Sequence, residues 1–463
     1  MSIASAIQNA QGKVAAAYTK CSDKGATMPQ TQDLSHLADC IDSISTGGGG
    51  IAENDVNFRD YDGTIVAAYS AADFANLSAL PANPTHQGLT AQGWNWSLAN
   101  AKTFVAAHGG LEIGQMYVTD DGKTRLYLDL PYAGTIKIRC RLNGSGTDTS
   151  VIDWGDGSTS SVGVFAEHTY STPGEKLITI FCDENHTVEI GVYNYGEVAA
   201  NGLAKWSLYK VELGARIQSI ARAFANCINL QSVTMPLGIS DSHIGADGNS
   251  GHSFEYTAIR HLTVPSDITM IGETSFKMDS GRYELQSISL PKSLTIIYDK
   301  SFYRAGYIKK LYIPESVESF AKPSSTITTE ASTFRGLINL QVVTIPLSLS
   351  FIPKSSFMQC CSLRDVVLNS DLTAIGESAF SGCSSLINIT IPSTVNEIRT
   401  KVFENCILLK DVYLLPTTPP TLANKNAFPN NPTTLHVPHG YLETYQTASV
   451  WGDLASQMVE MPE

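Results

Sequence analysis

Apolar and polar positions recur with a fixed step through the second half of the chain. LTIIYDKSFYRAGYIKKLYIP (294–314), LSFIPKSSFMQCCSLRDVVLN (349–369), LTAIGESAFSGCSSLINITIP (372–392) and VNEIRTKVFENCILLKDVYLLP (395–416) share one phrase. Ile352, Ile375 and Ile398 stand 23 residues apart, as do Phe357, Phe380 and Phe403. The phrase is L-x-x-I-x-x-x-x-F-x-x-C-x-x-L-x-x-h-x-h-P, with h aliphatic. In SISLP (287–291), Ile288 and Leu290 alternate with Ser287 and Ser289. That alternation predicts a strand with one buried face. The following proline cannot donate to a ladder, so it ends the strand. A period of this size predicts a solenoid whose units bury their apolar faces against their neighbours. Stacked units should lie about 4.8 Å apart, so like residues pile onto like. The expected ladder runs through Phe224, Phe254, Phe276, Phe302, Phe334, Phe357, Phe380, Phe403 and Phe428. Longer steps place insertions at 240–253 and 321–332.

The first 200 residues carry other patterns. Ile3, Ile7, Val14 and Tyr18 form one helical stripe, and Leu34, Leu37, Ile41 and Ile44 another, at spacings of three, four or seven. A segment this short has no core of its own and calls for a partner, another copy of the chain or a larger assembly, with packing back on the next domain the alternative. Gly47 to Gly50 make a hinge behind it. Residues 51–130 read as a small α+β module, in which Asp120, Asp121 and Gly122 turn a hairpin between two alternating segments. Trp94 and Trp96 read as core aromatics, with sugar stacking the sharper alternative. Residues 131–203 read as a small β-sandwich with tight turns at 153–157 and 173–174.

Composition narrows the chemistry. The chain has 463 residues, 43% hydrophobic and 16% charged, with a net charge of −13. Nucleic acid and anionic membrane are therefore poor partners, since phosphate contacts need clustered Lys and Arg. No apolar run approaches the roughly 18 residues a membrane span needs, so no membrane insertion is expected. The N-terminus lacks the basic and apolar regions of a signal peptide, which points to folding in a cytoplasm. Of nine cysteines, Cys227, Cys360, Cys383 and Cys406 each follow a ladder Phe by three residues. This reads as a small buried position rather than a metal or disulfide ladder. Asp241, His243, Asp247 and His252 in the first insertion read as a solvated loop. No nucleophile elbow, zinc-protease motif, P-loop or paired-carboxylate cleft stands out. No enzyme activity, cofactor or metal is expected.

The outward strand residues lie four and two positions before the proline. They give two columns: Ser232 and Thr234, His261 and Thr263, Ser287 and Ser289, Lys310 and Tyr312, Val342 and Thr344, Asp365 and Val367, Asn388 and Thr390, Asp411 and Tyr413. From these, Ser287, Ser289, Lys310, Tyr312, Asp365, Asn388, Thr390, Asp411 and Tyr413 are the candidate ligand contacts. Small polar groups and two tyrosines suit hydrogen bonding and stacking on a glycan, with a merely solvated strand face the alternative.

Three resemblances add to this. IGESAFSGCSSLINITIPSTV (375–395) resembles the BspA-like leucine-rich repeat family, and 419–454 is similar to its C-terminal cap. DWGDG (153–157), HTY (168–170) and the Pro-Gly pair at 173–174 resemble a PKD-type, immunoglobulin-like sandwich. Such domains are spacers or adhesion modules; Asp153 and Asp156 there read as turn residues, with a cation the alternative. The first 130 residues resemble tail-associated proteins of phages and prophages of gut Firmicutes. The implied fold is mainly β: a leucine-rich repeat solenoid with parallel sheet over 204–440 and a cap over 441–463. A helical segment (1–50), a mixed domain (51–130) and the sandwich (131–203) precede it. The implied function is a non-enzymatic phage tail-fibre or baseplate receptor-binding protein in the virion. It would be a homotrimer, joined to other tail proteins through 1–50, and would recognise a glycan or protein receptor on a bacterial surface. The alternative is a BspA-like adhesin on the bacterial cell surface.

Overall fold

The Phe ladder forms as one continuous stack. In the computed structural model, which describes residues 51–191, 198–245, 251–278, 285–322, 326–429 and 433–463, successive rings from Phe224 to Phe428 pack nearly parallel. Ring centroids are 5.1 Å apart for Phe276 and Phe302 and 6.0 Å for Phe403 and Phe428. Backbone hydrogen bonds lock the register, as Phe357 N–H donates to Ala379 and Phe380 N–H to Val402 on the next rung. The thiols join in: Cys360, Cys383 and Cys406 donate to the carbonyls of Phe334, Phe357 and Phe380 at 3.2–3.3 Å. No disulfide joins the described cysteines.

Two parallel strand ladders run along the solenoid. One pairs the strands before the proline, as 342–344 with 365–367 and 388–391 with 411–414. The other pairs the isoleucine strands, as 374–375 with 397–398 and 421–422. Tight corners separate them. The residues two before and two after the ladder Phe take left-handed backbone in nearly every rung. Arg222, Lys300, Ser355, Ser378 and Lys401 are examples before it, and Gln359, Asn405, Gly336 and Gly382 after it. At the second site Gly meets the conformation without strain, while an L side chain pays about 1–2 kcal/mol.

The N-terminal half holds β1 (Val56–Arg59), β2 (Ile65–Tyr69), α1 (Ala71–Ala75), β3 (Leu89–Trp94), α2 (Leu98–His108) and β4 (Leu111–Thr119). These strands form one sheet of order β2-β1-β4-β3. Ser97 caps α2, accepting from Asn100 N–H, and Gly109 ends it in left-handed backbone. Then come β5 (Thr124–Leu130), β6 (Gly134–Gly144), β7 (Val151–Asp153), β8 (Thr159–Ser161), β9 (Phe165–Tyr170), β10 (Gly174–Phe181), β11 (His186–Gly191), α3 (Val198–Ser207) and β12 (Leu208–Glu212). The hairpin expected across residues 120–122 does not form. β4 pairs with β1 and β3, whereas β5 pairs with β10 and β12 in another sheet. The turn therefore crosses between two bodies, a step that strand alternation alone cannot distinguish from a hairpin.

The sandwich grows directly into the solenoid. One of its sheets continues through β12 onto the parallel strand Ser232–Thr234, and the other continues from β11 onto Ile217–Ser219. Both edges of the first rung are thereby covered, which blunts a surface otherwise open to aggregation. One apolar core runs without a break from Leu126 in the sandwich to Met458. At the far end, Tyr445 and Trp451 donate to Pro416 O and Pro420 O at 2.7 Å, and Trp451 packs 5.8 Å from Phe428. The C-terminal strand Met458–Glu460 closes the sheet on 434–437.

Candidate functional site

The strand columns divide into a covered half and an open half. The module of residues 51–119 lies on the rungs from 232 to 312. Asn95 Nδ2 donates to Val264 O at 3.0 Å and Ser289 O at 3.1 Å, bridging two rungs, and Trp96 Nε1 donates to Leu290 O at 2.8 Å. Trp94 and Trp96 are both buried in the module core. Gln92 accepts from Leu237 N–H, Lys292 donates to Asn100, and His108 bonds Glu315. Two glycines let β4 and its approach lie flat on the sheet. A Cβ on Gly110 would fall 2.2 Å from the Tyr312 hydroxyl, and one on Gly114 2.1 Å from Thr263 Oγ1.

This contact overturns part of the expected site. Ser287, Ser289 and Tyr312 do not face solvent; all three are buried, Ser289 completely. Tyr312 joins the module's own core with Phe58, Phe104 and Trp96, its ring edge-on to Phe104 at 6.5 Å. Burial pushes the Tyr312 hydroxyl up to about 12. His261 is 3% exposed beneath Gly63, with Nδ1 2.8 Å from Ser287 Oγ and Nε2 3.3 Å from Thr263 Oγ1. Its pKa is pushed down to about 3, first by burial and then by the Arg59 charge. Lys310 is half-buried at the module's edge, beside Arg59 and Glu112. Arg59 itself is held by Glu112 and Glu53, each at 2.6 Å.

Past the module the columns open. Asp365, Asn388 and Thr390 are exposed, and Val367 is 77% exposed. Asp411 and Tyr413 are half-buried, because His436 on the next rung reaches back. His436 Nε2 lies 2.7 Å from Asp411 Oδ1, and its ring stacks on Tyr413 at 4.4 Å. The sequence columns did not include His436, although it continues the Tyr413 position by one rung. Leu347 and Leu415, just outside the columns, are exposed as well. The structure thus keeps Asp365, Asn388, Thr390, Asp411 and Tyr413 together on one strip and removes Ser287, Ser289 and Tyr312 from it.

The other candidates are held in local structure. Asp156 accepts from Ser158 N–H and Oγ and pairs with His168, which lowers its pKa to about 2. Asp153 accepts from Gly155 N–H. Both therefore tie the turn they sit in. His252 contacts Glu255 and Thr274, while Asp247 lies outside the described residues. Asp148, Asp183 and His186 come together at one tip of the sandwich, where Asp183 already receives Thr149 N–H, Asn185 N–H and His186 Nδ1. Among the described residues, no helix is long and apolar enough to cross a membrane.

Comparison with known proteins follows the repeat. The family model described as a BspA type leucine-rich repeat region matches residues 197–322 and 316–434, more than half of the chain. No curated protein sequence matches. Among solved structures, a leucine-rich repeat protein from Bacteroides ovatus is 22% identical, covering 54% of this chain and 77% of that one, with a TM-score of 0.30. A leucine-rich repeat protein of T. pallidum is 20% identical, with 44% and 84% covered and a TM-score of 0.26. A leucine-rich cell surface protein from Faecalibacterium prausnitzii is 22% identical, with 45% and 67% covered and a TM-score of 0.23. Scores this low say nothing about function. What assigns the chain is the repeat itself, from the Phe ladder to the proline-terminated strands, and by that match it belongs to the BspA-type leucine-rich repeat family.

Proposed function

We propose that this protein is a non-enzymatic adhesin of the bacterial cell surface, which holds its receptor on the open strip of solenoid sheet between residues 365 and 415. One observation carries the reading. The same two strand columns that are sealed under the module at 261–312 stand uncovered at 365–413, where Asp365, Val367, Asn388 and Thr390 face solvent. A patch of mixed aliphatic and hydrogen-bonding groups on a rigid sheet is a surface for recognition, and bond-breaking chemistry has no place in this reading. The repeat family favours the cell-surface adhesin. The tail-fibre reading, with attachment and trimer formation through 1–50, rests on the resemblance of the first 130 residues and on the apolar stripes of 1–50, which lie outside the described residues.

The test is adhesion of the labelled full chain to whole bacterial cells and to matrix-coated surfaces. Asp365→Ala, Asn388→Ala and Thr390→Ala in one variant should weaken adhesion by about tenfold or more. The melting temperature should not move, since all three side chains are exposed. Undiminished adhesion would place the receptor contact elsewhere on the molecule.

A further inference from the structure

The open strip is the floor of a trough that begins where the module ends. Its first part, about 320 Å³, is walled by Ala107 and His108 from the end of α2 and by Glu315, and floored by Val342, Thr344 and Val367. Its second part, about 450 Å³, shares Asp365 and Val367 and runs on past Asn388 and Thr390 to Leu415. The module is therefore one wall of the site as well as the cover of the neighbouring rungs.

We infer that this trough takes a protein loop, one presenting an apolar side chain next to side-chain N–H donors, and that α2 of the module helps to hold it. The inference rests on the adhesin reading above and names the class of its receptor. Three observations favour polypeptide over glycan. The occupant already seated on this sheet is polypeptide. Asn95 and Trp96 insert side-chain N–H donors onto the carbonyls of Val264, Ser289 and Leu290 at the strand ends, while glycine backbone lies flat on the columns. Val264 and Leu290 each precede the rung's proline. Ile345 before Pro346, and Leu368 before Asn369, stand at that position in the trough. The trough thus continues, two rungs on, an interface whose chemistry is visible at Leu290.

The second observation is the aliphatic centre. Val367 and Leu347 are exposed there and Val342, beside Asp365, is half-buried, while Asp365, Asn388 and Thr390 supply polar groups around them. An apolar centre inside a polar rim is the anatomy of a protein interface. The third is the loss of flat aromatic faces that a sugar ring would stack on. Tyr312 is inside the module core, and one face of Tyr413 is taken by His436.

The test puts two probes on the immobilised full chain: a displayed random-peptide library and an array of bacterial surface glycans. Each is repeated on Val367→Ser with Leu347→Ser, and on His108→Ala. Enrichment of peptides with an apolar residue beside Asn, Gln or Trp is expected. Binding should fall about tenfold or more in the double variant and several-fold in His108→Ala. Both substituted positions of the double variant are exposed, and an unchanged melting temperature confirms that the fold is intact. Glycan binding that the double variant abolishes, with no peptide enriched, would overturn the protein-loop assignment and leave the adhesin face standing. Binding of either probe that ignores these substitutions would overturn both the assignment and the face. Self-association through the trough, seen as a dimer that the double variant dissolves, would also overturn it, as would no binding to either probe.

Discussion

Tyr312 and Tyr413 occupy the same position of the repeat, and their surroundings are opposite. Tyr312 sits in the core of a module folded from residues about 200 positions earlier in the chain, among Phe58, Trp96 and Phe104. Tyr413 stands on the open strip with His436 against one face. The repeat places both rings on the outer face of the sheet. What lands on that face decides whether a ring becomes core or stays on the open surface. The lesson extends along the columns: His261, Thr263, Ser287 and Ser289 are buried at positions where Asp365, Val367, Asn388 and Thr390 are exposed.

The sharpest way to break this comparison is to truncate both tyrosines separately. Tyr312→Ala should cost about 3–5 kcal/mol, the range for deleting a large buried ring. Tyr413→Ala should cost less than about 1 kcal/mol, as a partly exposed position. Thermal unfolding followed together with limited proteolysis of the 51–119 module would separate the two. Equal effects would show that the module does not depend on the sheet beneath it.

Acidity probes the covered half by another route. His261 is neutral in the folded chain with its pKa near 3, against an ordinary value of 6.5. Between those values the unfolded chain binds the extra proton, so stability rises with pH there. The contribution is complete above about pH 6.5 and is lost toward pH 3, by up to about 1.4 kcal/mol per pH unit. Melting temperatures from pH 7 to 4 should therefore fall more steeply for the natural chain than for His261→Gln. Parallel curves would contradict the burial that the module imposes. The open strip offers no equivalent, and substitutions at Val367 should shift stability by no more than about 0.5 kcal/mol.

A small effect of the opposite sign is expected at the corners, off both columns. Gln359 holds left-handed backbone at the corner where Gly336 and Gly382 stand in neighbouring rungs. Gln359→Gly should raise stability by about 0.5–1 kcal/mol, the relief of left-handed strain less the greater freedom of glycine in the unfolded chain. Denaturant midpoints at constant m-value would read it.

Much of the solenoid was legible in the sequence. The Phe ladder, the proline-ended strands and the buried cysteines all follow from a pattern in which each unit contacts mainly its neighbours. The candidate site was legible only in part. Asp365, Asn388, Thr390, Asp411 and Tyr413 share the open face because the columns follow the strand period. Ser287, Ser289 and Tyr312 were assigned to the same face by the same rule, and the rule was right about the face but silent about its cover. Asn95 gave no signal of its own, since an asparagine between two tryptophans reads as loop until the carbonyls it meets are in view.

The division has a physical cause. Side-chain period, strand-ending prolines and ring stacking are nearest-neighbour effects, so the sequence alone determined the solenoid, its proline-ended strands and the outward columns. The seat of the 51–119 module depends on side chains far apart in the chain, such as Asn95 with Ser289 and Phe104 with Tyr312. So does the sharing of sheets between sandwich and solenoid, through β5 with β12 and β11 with Ile217–Ser219. No local period encodes such contacts. Only the tertiary structure decided which half of the face is sealed and which half is left open.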